Sequence, residues 1–213
     1  MKIHPKSKLV MIGDSITDCS RAHSMDGEES LGNGYVHLVN SLLTATYPQL
    51  GIQIVNMGIS GNTVRDLKRR WQRDVLDLEP DWLSIMIGIN DVWRNFDNWM
   101  PMESQVSIEE YERTLDELIG ATFPSLKGLV LMTPYFLQPD RSDPMRAMMD
   151  RFGDAARQLT KKYDAIFVNT QAAFDEVLMD MDSFDLSDDR VHLNLTGHTI
   201  LARAFLDAVE YIW

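Results

Sequence analysis

Residues 8–18 read Lys8-Leu9-Val10-Met11-Ile12-Gly13-Asp14-Ser15-Ile16-Thr17-Asp18, and the change of character at Gly13 decides the fold. Leu, Val, Met and Ile follow one another without polar alternation, as in a strand covered on both faces. Small and polar residues take over at once. Residues 52–57, 82–87, 128–133 and 165–169 repeat the short apolar run. The segments between them have helical length and period. In 35–46 the apolar side is Val36, Leu38, Val39, Leu42 and Leu43, and Pro48 follows. In 64–78, Val64, Leu67, Trp71, Val75 and Leu78 recur at helical spacing and Pro80 ends the pattern. Residues 108–122, 145–162, 171–181 and 197–212 read as further helices. Strands alternating with helices make an α/β fold, a parallel sheet with right-handed crossovers and helices on both faces.

The chain has 213 residues, 45% of them hydrophobic, which suits one α/β domain spanning residues 1–213. No internal repeat, low-complexity tract or linker divides it. A net charge of −12 disfavours nucleic acid as a partner, since such binders present a basic face. It equally disfavours anionic membranes. No apolar stretch approaches the roughly 20 residues of a membrane span, and the N-terminal run 9–12 is too short for a signal peptide. Cys19 is the single cysteine, so no intrachain disulfide forms. A cytoplasmic protein is expected.

In open parallel sheets, ligands bind beyond the carboxyl ends of the strands, where the strand order reverses. The segments that follow the strands are therefore the ones to inspect: 13–18, 58–63, 88–91 and 133–135. Ser15 directly follows the first strand, where a hydroxyl can stand free as a nucleophile or, alternatively, cap a helix from Ile16 onward. Asp189 and His192 are three residues apart just before the last helix, so one local turn can bring carboxylate to imidazole. Gly61 allows close backbone approach to a ligand oxygen, and Asn90 offers a side-chain N–H₂ donor. Each alone reads as turn or capping chemistry. Together they supply nucleophile, base, orienter and oxyanion donors, all at one edge of the sheet.

Gly13-Asp14-Ser15, the glycine in Ser60-Gly61-Asn62-Thr63, the Asn in Gly88-Ile89-Asn90-Asp91 and Asp189-x-x-His192 resemble, in order and spacing, the four blocks of the SGNH/GDSL hydrolases. The resemblance spans nearly the whole chain. It implies a flavodoxin-like three-layer α/β/α sandwich whose five-stranded parallel sheet has the order 2-1-3-4-5. It also implies Ser15 as nucleophile, His192 as base and Asp189 as its orienter. The oxyanion hole would be the Ser15 and Gly61 backbone N–H groups with the Asn90 side chain. The stretches GISGNTVRDLKRRW (58–71), PDWLSIMIGINDVWR (80–94) and LMTPYF (131–136) are similar to a bacterial subgroup of intracellular acetyl esterases. Some of these deacetylate xylo-oligosaccharides and form homo-oligomers. The expected partners are thus an acetylated sugar and further copies of the chain, with no cofactor or metal. Relatives acting on xylan can carry an aromatic residue just before the triad Asp, where Asp188 stands here.

Asp14, Trp93 and Tyr135 are the candidate substrate contacts. Trp93, Phe96, Trp99, Met100 and Met102 follow Asn90 closely; they form either a rim of the acyl or sugar pocket, or a hydrophobic plug or subunit contact. Other readings remain. The α/β-hydrolase elbow G-x-S-x-G is absent, as are the dinucleotide and P-loop glycine patterns. Asp188, Asp189, His192 and His198, with Asp18, Asp26, Glu28 and Glu29, could be assembled into a metal site, but without a recognised ligand spacing. Cys19 could be a nucleophile, but no matching block surrounds it. His4, His23 and His37 read as surface or packing residues. A lysophospholipase or thioesterase, or a non-catalytic flavodoxin-like binding module, are the alternative functions.

Overall fold

The computed structural model describes residues 1–22, 30–97, 99 and 101–213. His23, Asp26, Glu28, Glu29 and Met100 lie outside the described residues. Five strands, β1 (Lys8–Gly13), β2 (Gln53–Gly58), β3 (Trp82–Met86), β4 (Gly128–Met132) and β5 (Ile166–Val168), pair in parallel in the order β2-β1-β3-β4-β5. The expected order is the one found. β3 is buried along its whole length, which explains why its sequence carries no polar alternation. β5 is shorter than the apolar run because Asn169 leaves it to cap the next helix, accepting from Ala172 N at 3.1 Å.

The helices are α1 (Ser15–Asp18), α2 (Tyr35–Thr46), α3 (Val64–Asp74), α4 (Ile89–Trp93), α5 (Ile108–Thr122), α6 (Pro144–Lys162), α7 (Thr170–Val177) and α8 (Leu195–Ala208). α2 and α5 have the bounds their periodicity predicts. The run 64–78 divides: α3 stops at Asp74, a 3₁₀ turn covers Leu76–Leu78, and Glu79 closes it in the left-handed region at φ 48°. α8 begins earlier than expected because Asn194 caps it through Gly197 N at 3.1 Å. α1 and α4 are single turns too short to leave a periodic signal.

Because β2 lies on one side of β1 and the later strands on the other, right-handed crossovers send α2 to one face and α3, α5 and α6 to the opposite one. The packing agrees: α2 lies against α8, and α8 against α7, while α3 meets α5 and α5 meets α6. Gly13 is in register with Gly58 and with Met86, so three strands end level. The strand order reverses at this line, and α1, α4 and the 59–63 turn leave the sheet from it.

Candidate active site

Ser15 opens α1 directly after β1. Asp14, not Ser15, caps this turn: its Oδ1 accepts from Ile16 N at 3.0 Å. The Ser15 hydroxyl is therefore not used as a cap. As the first helical residue, Ser15 has a backbone N–H with no intrahelical acceptor. Its Oγ lies 3.0 Å from His192 Nε2, and His192 Nδ1 lies 2.6 Å from Asp189 Oδ2.

The turn carrying Asp189 and His192 is wound around the carboxylate. Asp189 Oδ1 accepts from His192 N at 2.7 Å, Val191 N at 2.9 Å and Ser187 Oγ at 3.0 Å. Partial burial pushes the Asp189 carboxyl upward, but the hydrogen bonds from the His192 side chain and backbone, Val191 and Ser187 outweigh it and hold it at about 2. The carboxylate is thus ionised at neutral pH, which assigns the Nδ1 proton to the Asp189 side and leaves Nε2 as acceptor for the Ser15 hydroxyl. Proton transfer from Ser15 to His192, with the resulting imidazolium facing a fixed negative charge, is the chemistry this geometry can perform.

Gly61 has φ +78° and nothing within 4 Å of where a Cβ would stand. The space is open, but the left-handed backbone there favours glycine. Its neighbours are anchored on every side. Ser60 N and Oγ donate to Asp18 Oδ2 at 3.1 and 2.7 Å. Arg94 Nη2 donates to Gly61 O at 2.7 Å, and Arg70 Nε to Asn62 Oδ1 at 2.7 Å. Asn90 Nδ2 spends one N–H on Asn62 O at 3.0 Å, which fixes the amide and leaves its second N–H to a ligand. Ser15, Gly61, Asn90 and His192 line one open cleft of about 470 Å³, together with Ile16, Cys19 and Leu193.

Arg70, Arg94 and the anchoring role of Asp18 are what sequence reading missed. Arg70 is buried, and besides Asn62 it donates to Gly13 O at 2.9 Å, Met57 O at 2.7 Å and Asp74 Oδ2 at 2.8 Å. It ties the ends of β1 and β2 to α3. Nothing in Lys68-Arg69-Arg70 distinguishes it from its exposed neighbours.

Two expected substrate contacts are corrected. The Asp14 side chain is 0% exposed; it turns inward as the α1 cap and does not line the cleft. Tyr135 is likewise 0% exposed, its hydroxyl donating to Val191 O at 2.7 Å. It braces the 189–192 turn from beneath. Burial raises the carboxyls of Asp14 and of Asp91 (which accepts from Val64 N, the first residue of α3, at 3.0 Å) to about 7 each, against the backbone hydrogen bonds they accept.

Trp93 is half-buried with its ring 6.0 Å from the His192 ring. A plug over the core would be covered, yet Trp99 is 93% exposed, and Phe96 and Met102 are exposed too. Among the described residues no group of three or more His, Cys, Asp or Glu is placed to hold a metal ion. His198, in the first turns of α8, is buried, whereas Asp188, His4 and His37 are exposed. Among the described residues no helix is long and apolar enough to cross a membrane.

The chain belongs to the GDSL-like lipase/acylhydrolase family, whose model matches residues 11–200, and it is a carboxylic-ester hydrolase. It is 52% identical over 216 residues to an acetylxylan esterase of Geobacillus stearothermophilus, covering 100% of this chain and 98% of the relative. The crystal structure of Axe2, an acetylxylan esterase from that organism, superimposes with a TM-score of 0.96 at 51% identity, covering 100% of this chain and 98% of that one. LAE5, a hydrolase from the metagenome of Lake Arreo in Spain, gives a TM-score of 0.96 at 48% identity, covering 99% of this chain and 98% of that one.

Proposed function

We propose that this esterase removes acetyl groups from small carbohydrates such as acetylated xylo-oligosaccharides through a Ser15–His192–Asp189 acyl-enzyme cycle. The observation that carries the mechanism is the unbroken chain from Ser15 Oγ through His192 to Asp189, at 3.0 and 2.6 Å. Ser15 Oγ attacks the acetyl carbonyl as His192 Nε2 takes its proton. The Ser15 and Gly61 N–H groups and the spare Asn90 N–H receive the oxyanion. His192 then returns the proton to the departing sugar oxygen, and water repeats the sequence to release acetate.

The acetyl-sugar substrate is supported by full-length similarity to a protein named acetylxylan esterase. Trp93, beside His192, offers an aromatic face to the departing sugar. The free Cys19 thiol and the net charge of −12 fit the cytoplasm, and the exposed Trp99 and Met102 fit burial between copies in a homo-oligomer. The test is acetate release from acetylated xylo-oligosaccharides and from a nitrophenyl acetate. Both activities disappear in Ser15→Ala and in His192→Ala, and the double variant loses no more than either alone, because the pair acts as a unit. A Ser15→Ala protein keeping a tenth of wild-type turnover, or rates that climb toward octanoyl esters, would overturn the reading.

A further inference from the structure

Cys19 closes the turn that Ser15 opens: its N–H donates to Ser15 O at 2.9 Å. Residues four apart on a helical turn share a face, and both side chains line the cleft. The thiol does not stand alone. Cys19 Sγ is 3.2 Å from His198 Nε2, and His198 Nδ1 accepts from Tyr35 N at 3.2 Å. With Nδ1 committed as an acceptor, the neutral ring carries its proton on Nε2 and donates it to the sulfur. Burial holds His198 at about 4, so the ring is neutral at physiological pH, and burial also pushes the Cys19 thiol up.

His198 consequently has no free nitrogen with which to deprotonate Cys19. The pair is not a second nucleophile and base; it is a fixed wall. Gly34 shows how closely it is held, since a Cβ there would lie 2.7 Å from Cys19 Cβ and 2.8 Å from His198 Cε1.

The reaction geometry says what that wall faces. Around the tetrahedral carbon, one arm is Ser15 Oγ and one is the oxyanion, directed to Gly61 and Asn90. The departing oxygen must meet His192 Nε2 to be protonated, and Trp93 lies on that side. The arm that remains is the acyl group, and the cleft residues not engaged by the other three arms are Ile16, Cys19, Ser20, Ser60, Leu193 and His198.

We infer that Cys19, held in place by His198, forms the end wall of the acyl pocket and sets the length of acyl chain this enzyme accepts. The inference rests on the esterase reading above and adds a specificity-determining residue to it. A wall this well supported, through α1, α2 and α8, cannot yield to a longer chain without moving three elements, whereas a pocket cut back by one side chain admits it.

The test is kcat/KM for nitrophenyl acetate, propionate and butyrate with wild type, Cys19→Ala and Cys19→Leu, with thermal unfolding confirming that each variant is folded. Cys19→Ala should raise the butyrate-to-acetate ratio about tenfold or more, the scale on which a hydrophobic pocket discriminates by one methylene. Cys19→Leu should lower propionate and butyrate below detection and reduce acetate itself. A butyrate-to-acetate ratio unchanged in Cys19→Ala, with its acetate rate intact, overturns the inference. A wild-type protein inert toward all three esters overturns instead the esterase reading on which it rests.

Discussion

Replacing Asp14 by Asn should make this protein gain stability relative to wild type as the pH rises. Asp14 is completely buried, one oxygen caps α1 through Ile16 N, and the other, Oδ2, meets no hydrogen-bond partner among the described residues. Desolvation lifts its carboxyl from 3.8 to about 7. A folded value above the unfolded one means that the native state binds the extra proton. This contribution to stability is therefore complete below the unfolded value, declines as the pH rises from about 4, and is fully lost above about 7. At ~1.4 kcal/mol per tenfold, ionising the native site costs about 4 kcal/mol in all, and between about pH 5 and about pH 8 the cost grows by roughly 2–3 kcal/mol. Asn keeps the acceptor for Ile16 N and cannot ionise. Asp91 titrates in the same direction, and the Asp14 charge helps to raise it, so the substitution also relieves Asp91 and adds to the difference in the same sense. Urea unfolding at the two pH values should show the midpoint of Asp14→Asn gaining on wild type by roughly 1 M between them, for a chain of this size. A midpoint difference that is the same at both pH values would refute the reasoning.

Three further outcomes are expected. Asn90→Ala should lower kcat by roughly 10²–10³ with little change in KM, because its spare N–H serves the tetrahedral intermediate; steady-state kinetics that move KM alone would assign Asn90 to substrate binding. Tyr135→Phe leaves the Val191 carbonyl buried without its donor and should cost about 1–3 kcal/mol in thermal or urea unfolding. Its kcat should fall several-fold as the 189–192 turn loosens, and an unchanged kcat would remove Tyr135 from the positioning of His192. Light scattering at micromolar concentration should give a mass at least twice that of one chain, whereas a single-chain mass excludes the homo-oligomer.

What the sequence by itself determined is whatever depends on neighbours along the chain. A strand covered on both faces is mostly apolar, so β1, β3 and β4 are legible as runs, and the crossovers that join the strands leave few sheet orders. Asp189 and His192 are legible as a pair because one turn closes the distance between them, the carboxylate accepting from Val191 N and His192 N within that turn. Ser15, Gly61 and Asn90 are legible because they lie within a few residues of strand ends, in an order and spacing that resemble the family's blocks.

Tertiary structure alone decided which way side chains at those strand ends turn and what holds them there. Asp14 and Ser15 are consecutive, yet Asp14 turns inward to cap α1 and is buried, while Ser15 lines the cleft. Tyr135 reaches the 189–192 turn, Arg94 reaches Gly61, and Arg70 spans β1, β2 and α3 through hydrogen bonds between segments that meet only in the folded chain. No local pattern encodes such contacts, since a buried donor is identified by the acceptors that the fold brings to it rather than by the residues beside it.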